Sequence, residues 1–129
     1  MDISTVLDEA TRFAQTPIFT ACVLKEPNSD TSLRMIKMLV SLGVDPKRED
    51  TLKQSPLFYA CREGLSSVID FLLTEGGNQV NRQDKYGQTP IYYAVREGRV
   101  DIVRQLIGYG ADYDICDTKN QRPIYYAIQ

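Results

Sequence analysis

Thr89-Pro90-Ile91-Tyr92-Tyr93-Ala94 decides the fold of this chain, because the same six-residue pattern returns along its whole length. It stands first as Thr16-Pro17-Ile18-Phe19-Thr20-Ala21, then as Ser55-Pro56-Leu57-Phe58-Tyr59-Ala60, and last as Arg122-Pro123-Ile124-Tyr125-Tyr126-Ala127. Successive copies begin 39, 34 and 33 residues apart. Gly43, Gly76 and Gly110 recur at 33 and 34, and Asp50, Asp84 and Asp117 at 34 and 33, so three separate rulers give one period. A fixed period of this size implies one supersecondary unit, stacked so that neighbouring copies bury each other's apolar faces.

The irregularities locate the insertions. Gly43 to Gly76 is regular, so the six extra residues of the first unit fall before Gly43, where Lys25-Glu26-Pro27-Asn28-Ser29-Asp30 carries loop residues. A further single residue falls within Gly77-Asn78-Gln79-Val80.

Inside each unit the local signals give two helices and a turn. Thr or Ser before Pro predicts an N-cap with Pro at the first helical position, where its missing N–H costs nothing. Arg62-Glu63-Gly64 and Arg96-Glu97-Gly98 end that helix with a glycine suited to the left-handed conformation. A second helix follows, with apolar stripes at Leu33, Ile36, Leu39, Val40; at Leu65, Val68, Ile69, Leu72, Leu73; and at Val100, Val103, Leu106, Ile107. The units then join through Asp-x-x-Gly turns: Asp84-Lys85-Tyr86-Gly87 is complete, and Asp117-Thr118-Lys119-Asn120 puts Asn, a tolerated left-handed residue, in place of Gly.

On these residues the chain resembles the ankyrin repeat family, whose unit is a turn and two antiparallel helices built around T-P-L-H-x-A. The resemblance runs from Thr16 to Gln129 and implies an all-α solenoid of stacked helix-turn-helix units joined by β-turn or hairpin loops. The expected boundaries are a lead-in capping helix in 1–15, unit one in 16–49 with its lengthened inter-helix loop at 25–30, unit two in 50–83, unit three in 84–116 and a partial unit four in 117–129. The partial last unit suggests a segment of a longer polypeptide. In the family the motif His ties the turns of neighbouring units together. Here that position is Phe19, Phe58, Tyr92 and Tyr125, so aromatic packing, with hydroxyl bonds from the two tyrosines, is expected instead.

Composition narrows the function. With 15 Lys+Arg against 17 Asp+Glu the net charge is -2, which does not suit a binder of nucleic-acid phosphates. The absence of histidine removes His-based triads, metal ligands and proton switches. Cys22, Cys61 and Cys116 form no C-x-x-C pair and no disulfide framework, and each of the first two reads as a small apolar residue beside the motif alanine. Asp112, Asp114 and Asp117 lack calcium-loop spacing and read as turn formers. We therefore expect no catalytic residue, no cofactor and no metal. No membrane insertion is expected either, since the start Met1-Asp2-Ile3-Ser4 carries no signal-like run and no apolar stretch approaches a membrane span. The expected setting is intracellular, cytoplasmic or nuclear, and the expected state a monomer.

Helical spacing puts Tyr59, Arg62 and Glu63 on one face of a first helix, and Tyr93, Arg96 and Glu97 on the matching face of the next, with Tyr126 continuing the row. The resemblance implies that this face and the turn tips, Thr51, Leu52 and Gln54, then Lys85, Tyr86 and Gln88, then Thr118, Lys119 and Gln121, line a concave groove for a protein or peptide. Aromatic and Arg side chains are the types that dominate such interfaces. The competing reading is a recognition domain of a larger enzyme, such as a kinase, a ubiquitin ligase or a protein or histone methyltransferase, including a methyl-lysine reader built on the tyrosine row.

Overall fold

A computed structural model of the protein describes residues 17–22 and 29–127. The expected lead-in helix and residues 25–28 of the expected long loop lie outside them. Ser29 and Asp30, assigned to that loop, instead form the first turn of a helix.

Among the described residues seven helices follow in order: α1 (Pro17–Cys22), α2 (Ser29–Ser41), α3 (Pro56–Glu63), α4 (Ser66–Thr74), α5 (Pro90–Arg96), α6 (Val100–Gly108) and α7 (Pro123–Ala127). They are antiparallel pairs repeated along one axis. Helices α1, α3, α5 and α7 stack side by side into an inner layer, and α2 packs on α4 in the outer layer. No strand occurs among the described residues. Each inner helix starts at its Pro, and α3 and α5 stop where a left-handed residue reverses the chain: Gly64 has φ 74° and Gly98 φ 68°. In the connection after α4 the left-handed residue is Gly77 rather than Gly76, which absorbs the one-residue insertion.

The core runs unbroken along the stack. Ile18, Leu57 and Ile91 of the inner helices are fully buried, as are Phe19, Phe58 and Tyr92 beside them, and Ile36, Val68, Leu72 and Leu106 meet them from the outer helices. Each of these large side chains contributes roughly 1.5–3 kcal/mol by leaving water. The predicted stripes hold in α2 and α4. In α6 the buried positions are Ile102 and Leu106, whereas Val100 and Ile107 are exposed. Val100 corresponds to the exposed Ser66 of the unit before, on the solvent side of the helix start.

The caps differ in mechanism from the expectation. Ser55 and Thr89 occupy N-cap positions, but neither side chain makes a capping bond, and Thr89 Oγ1 is buried without a partner among the described residues. Their own carbonyls accept from the third helical N–H, Phe58 N at 3.1 Å and Tyr92 N at 3.0 Å. With Pro at the first position and the third N–H already satisfied, little remains for the hydroxyl to accept.

Candidate functional site

The site begins with three aspartates. In each joining turn the Asp Oδ1 accepts two backbone N–H groups: Asp50 from Leu52 and Gln54, Asp84 from Tyr86 and Gln88, Asp117 from Lys119 and Gln121, all at 2.9–3.0 Å. Short polar side chains hold turns in this way. The turns also bind one another, Lys85 N donating to Leu52 O and Thr118 N to Tyr86 O, each at 2.9 Å.

The second carboxylate oxygen points under the inner helices, where it takes the hydroxyl of the tyrosine nine residues on: Tyr59 to Asp50, Tyr93 to Asp84, Tyr126 to Asp117. A glutamine of the preceding unit closes each node after the first. Gln54 Nε2 donates to Asp84 Oδ2 and to the Tyr93 hydroxyl at 2.9 and 2.8 Å; Gln88 Nε2 donates to Asp117 Oδ2 and to the Tyr126 hydroxyl at 3.1 and 3.2 Å. Edge-on ring contacts run parallel to this ladder, Phe19 with Tyr59 at 4.9 Å, Phe58 with Tyr93 at 5.8 Å and Tyr92 with Tyr126 at 5.8 Å between centroids. Such pairs add about 0.5–1.5 kcal/mol each beyond their burial.

Phe19, Phe58 and Tyr92 pack as the departure from His predicts, and Tyr92 makes the expected polar tie, whereas Tyr125 is exposed and meets only the neighbouring Tyr126 ring, so the second expected hydroxyl bond is not formed among the described residues. The Tyr92 hydroxyl lies between the carbonyls of Ile115 and Gln121 in the next turn and shares its proton with both. Burial, followed by the Asp117 charge, pushes the Tyr92 phenol up to about 12. The Tyr93 phenol is also raised, first by burial and then by its bond to Asp84, with Arg96 and Arg62 opposing. At Asp117 burial favours the neutral acid, but donors from Tyr126, Gln121, Gln88 and Lys119 outweigh it and lower the pKa; Tyr126 is raised chiefly by the same bond. In the third node the charge stays on Asp117 and the proton on the Tyr126 phenol.

This geometry corrects one expectation. Tyr59 and Tyr93, read as solvent-facing, are 8% and 7% exposed, because each hydroxyl reaches back to a carboxylate under the turn. Gln88 is buried in the same ladder, and Gln121 is tied to Tyr126 and, through its carbonyl, to Tyr92. What the tyrosines present outward is a ring edge or face with a cation on it. Arg62 lies over Tyr59 at 4.7 Å, and Arg96 lies over Tyr93 at 5.3 Å and Tyr126 at 4.6 Å.

Between the turn tips and the inner helices these groups enclose an open cleft of about 450 Å³. Of the predicted residues it gathers Tyr59, Arg62, Tyr86, Gln88, Tyr93, Arg96, Lys119 and Tyr126. Glu63, Glu97 and Gln121 are not among its walls; Glu63 instead stands 3.9 Å from Arg62 at the helix end. The turn-tip residues Leu52, Gln54 and Thr118, together with Asp117, complete the lining. The ladder itself was overlooked in the motif reading, although its signal is present three times as Asp-x-x-x-Gln-x-x-x-x-Tyr, from Asp50, Asp84 and Asp117.

Nothing in the site resembles an activated nucleophile. Burial pushes the Cys22 thiol up to about 12 and the Cys61 thiol higher still. Among the described residues no group of three or more Cys, Asp or Glu is placed to hold a metal ion, and no helix is long and apolar enough to cross a membrane.

A stack of antiparallel helix pairs joined by hydrogen-bonded turns defines a repeat solenoid. The description "Ankyrin repeats (3 copies)" matches residues 28–117 and 78–129, and the chain belongs to the ankyrin repeat family. Ankyrin repeats are in general protein–protein interaction modules, and domains built from them are typically non-catalytic. No curated protein matches the chain.

Proposed function

We propose that the cleft between the turn tips and the inner helices binds an extended segment of a protein partner. The observation that carries this reading is the division of labour across the cleft: phenols and carboxylates are consumed by the ladder, whereas Tyr86, Arg62, Arg96 and Lys119 remain at the surface around an open concavity. A preordered wall of this kind loses little conformational entropy on binding. The same reading serves repeats that act alone and repeats that recruit a substrate for an attached kinase, ubiquitin ligase or methyltransferase. It does not extend to a methyl-lysine cage, since the ring faces such a cation needs are taken by Arg62 and Arg96.

Selection of peptides from a random phage-displayed library tests the proposal. Peptides recovered on the folded protein should lose at least tenfold in affinity for the Tyr86→Ala/Arg96→Ala variant, with its helical circular dichroism intact. Undiminished binding to that variant would place the site elsewhere.

A further inference from the structure

The ladder carboxylates are saturated with donors, whereas several donors of the cleft wall are not. Asp84 and Asp117 each receive four donors from the protein's own backbone, tyrosine and glutamine groups. The Gln88 amide oxygen accepts from Arg96 Nη2 at 3.0 Å. Against this, Arg96 makes that single side-chain hydrogen bond among the described residues, although a guanidinium carries five N–H donors. Among the described residues the Arg62 guanidinium makes no hydrogen bond, its ion pair with Glu63 being 3.9 Å long, and the exposed Lys119 ammonium has no partner. The two guanidiniums lie over tyrosine rings, Arg62 on Tyr59 at 4.7 Å and Arg96 on Tyr126 at 4.6 Å, which positions them at the cleft wall before any ligand arrives. Both cations act on the same group, since each opposes the raised pKa of the Tyr93 phenol.

We infer that the cleft selects an acidic segment of a partner protein, whose glutamate or aspartate carboxylates pair with Arg62 and Arg96 and are steered by Lys119. This rests on the peptide-binding reading above and adds the partner's chemistry. A carboxylate matches the paired N–H donors of a guanidinium edge with its two oxygens, and a phosphate is the alternative that the test separates. Spacing follows from the repeat. Arg62 and Arg96 occupy equivalent positions of stacked helices, which pack about 10 Å apart. A polyproline-type segment advances about 9 Å in three residues and returns to the same face. The favoured partner therefore carries acidic residues three apart in an extended, proline-compatible stretch.

Fluorescence anisotropy with labelled twelve-residue peptides of Glu-Pro-Pro repeats, compared with Gln-Pro-Pro, Lys-Pro-Pro and phosphoserine-Pro-Pro counterparts, tests this. The glutamate peptide should bind at least tenfold more tightly than the glutamine peptide, weaken with added salt, and shift the Arg62 and Arg96 side-chain N–H resonances. Arg96→Gln should remove that preference, Arg96→Lys should keep part of it, and Lys119→Gln, a change at an exposed turn tip outside the ladder, should weaken binding several-fold. Equal binding of glutamate and glutamine peptides, tighter binding of the lysine or phosphoserine peptide, or no binding by any of them overturns the inference. A neutral or basic peptide that perturbs the cleft resonances would leave the peptide-binding reading standing while removing the acidic preference. An acidic peptide that perturbs only the outer helices α2, α4 and α6 would remove both.

Discussion

Replacing Tyr93 by Phe removes one oxygen from the centre of the ladder and leaves the ring. That hydroxyl donates to Asp84 Oδ2 and accepts from Gln54 Nε2 at 2.8 Å. A hydrogen bond to a charged group contributes about 1.5–3 kcal/mol. The lower half of that range applies, because Asp84 keeps the donors of Tyr86, Gln88 and Gln54 at 2.9–3.0 Å and is not stranded. The edge-on contact with Phe58 survives, since it needs only the ring. The expected loss is therefore about 2 kcal/mol, or roughly 8 °C in melting temperature for a domain of this length. Urea unfolding followed by circular dichroism measures it, with Tyr113→Phe as the control: that ring is exposed, and its change should stay within about 0.5 kcal/mol. A cycle adding Gln54→Ala to both backgrounds should show coupling of at least about 0.5 kcal/mol, as for groups in one network. Tyr93→Phe indistinguishable from the control, or strict additivity with Gln54→Ala, would refute the ladder as a source of stability.

Three further outcomes follow from local geometry. The Tyr92 phenol is raised to about 12 against about 10 when unfolded. Its stabilisation is therefore complete below pH 10 and lost as the pH rises through 12; alkaline titration of the helical signal should show less loss in that window for Tyr92→Phe than for the parent. Gly87 has φ +76°, and a Cβ there would meet Thr118 N at 2.9 Å, whereas Gly98 at φ +68° has open space. Thermal melting should thus show Gly87→Ala costing well over the roughly 1 kcal/mol expected for Gly98→Ala, since the first adds a collision to the backbone strain. Lys53 takes the place of that glycine in the preceding turn with φ 58°, so Lys53→Gly should raise stability by roughly 0.5–1 kcal/mol in the same assay.

The repeat was legible because its markers depend on backbone requirements that few residues satisfy. Pro at a helix start, a left-handed residue after Arg96-Glu97 and Asp in a turn each leave a residue-level trace, and Asn120 fulfils its role as the substitute for glycine with φ 60°. The direction of the tyrosines was not legible from helical spacing. Tyr93 shares a helix face with Arg96, but the spacing of two residues on one helix says nothing about an acceptor on the preceding turn. Nine residues separate Asp84 from Tyr93, a distance set by the turn and the Pro-capped start together. The α6 stripe departs from its apolar spacing for a related reason: Val100 and Ile107 are apolar, but the core is met by Ile102, Val103 and Leu106.

The central claim is that tyrosine hydroxyls hold the stack while arginines meet the partner, and a crossed comparison of Tyr93→Phe with Arg96→Gln measures it most directly. Stability and affinity for a cleft-binding peptide are read on both proteins. The account predicts that Tyr93→Phe lowers the urea midpoint and leaves affinity below the transition unchanged, while Arg96→Gln does the reverse. If instead Arg96→Gln unfolds at lower urea with affinity retained, or Tyr93→Phe loses the peptide with its midpoint unmoved, the assignment of roles across the cleft is contradicted.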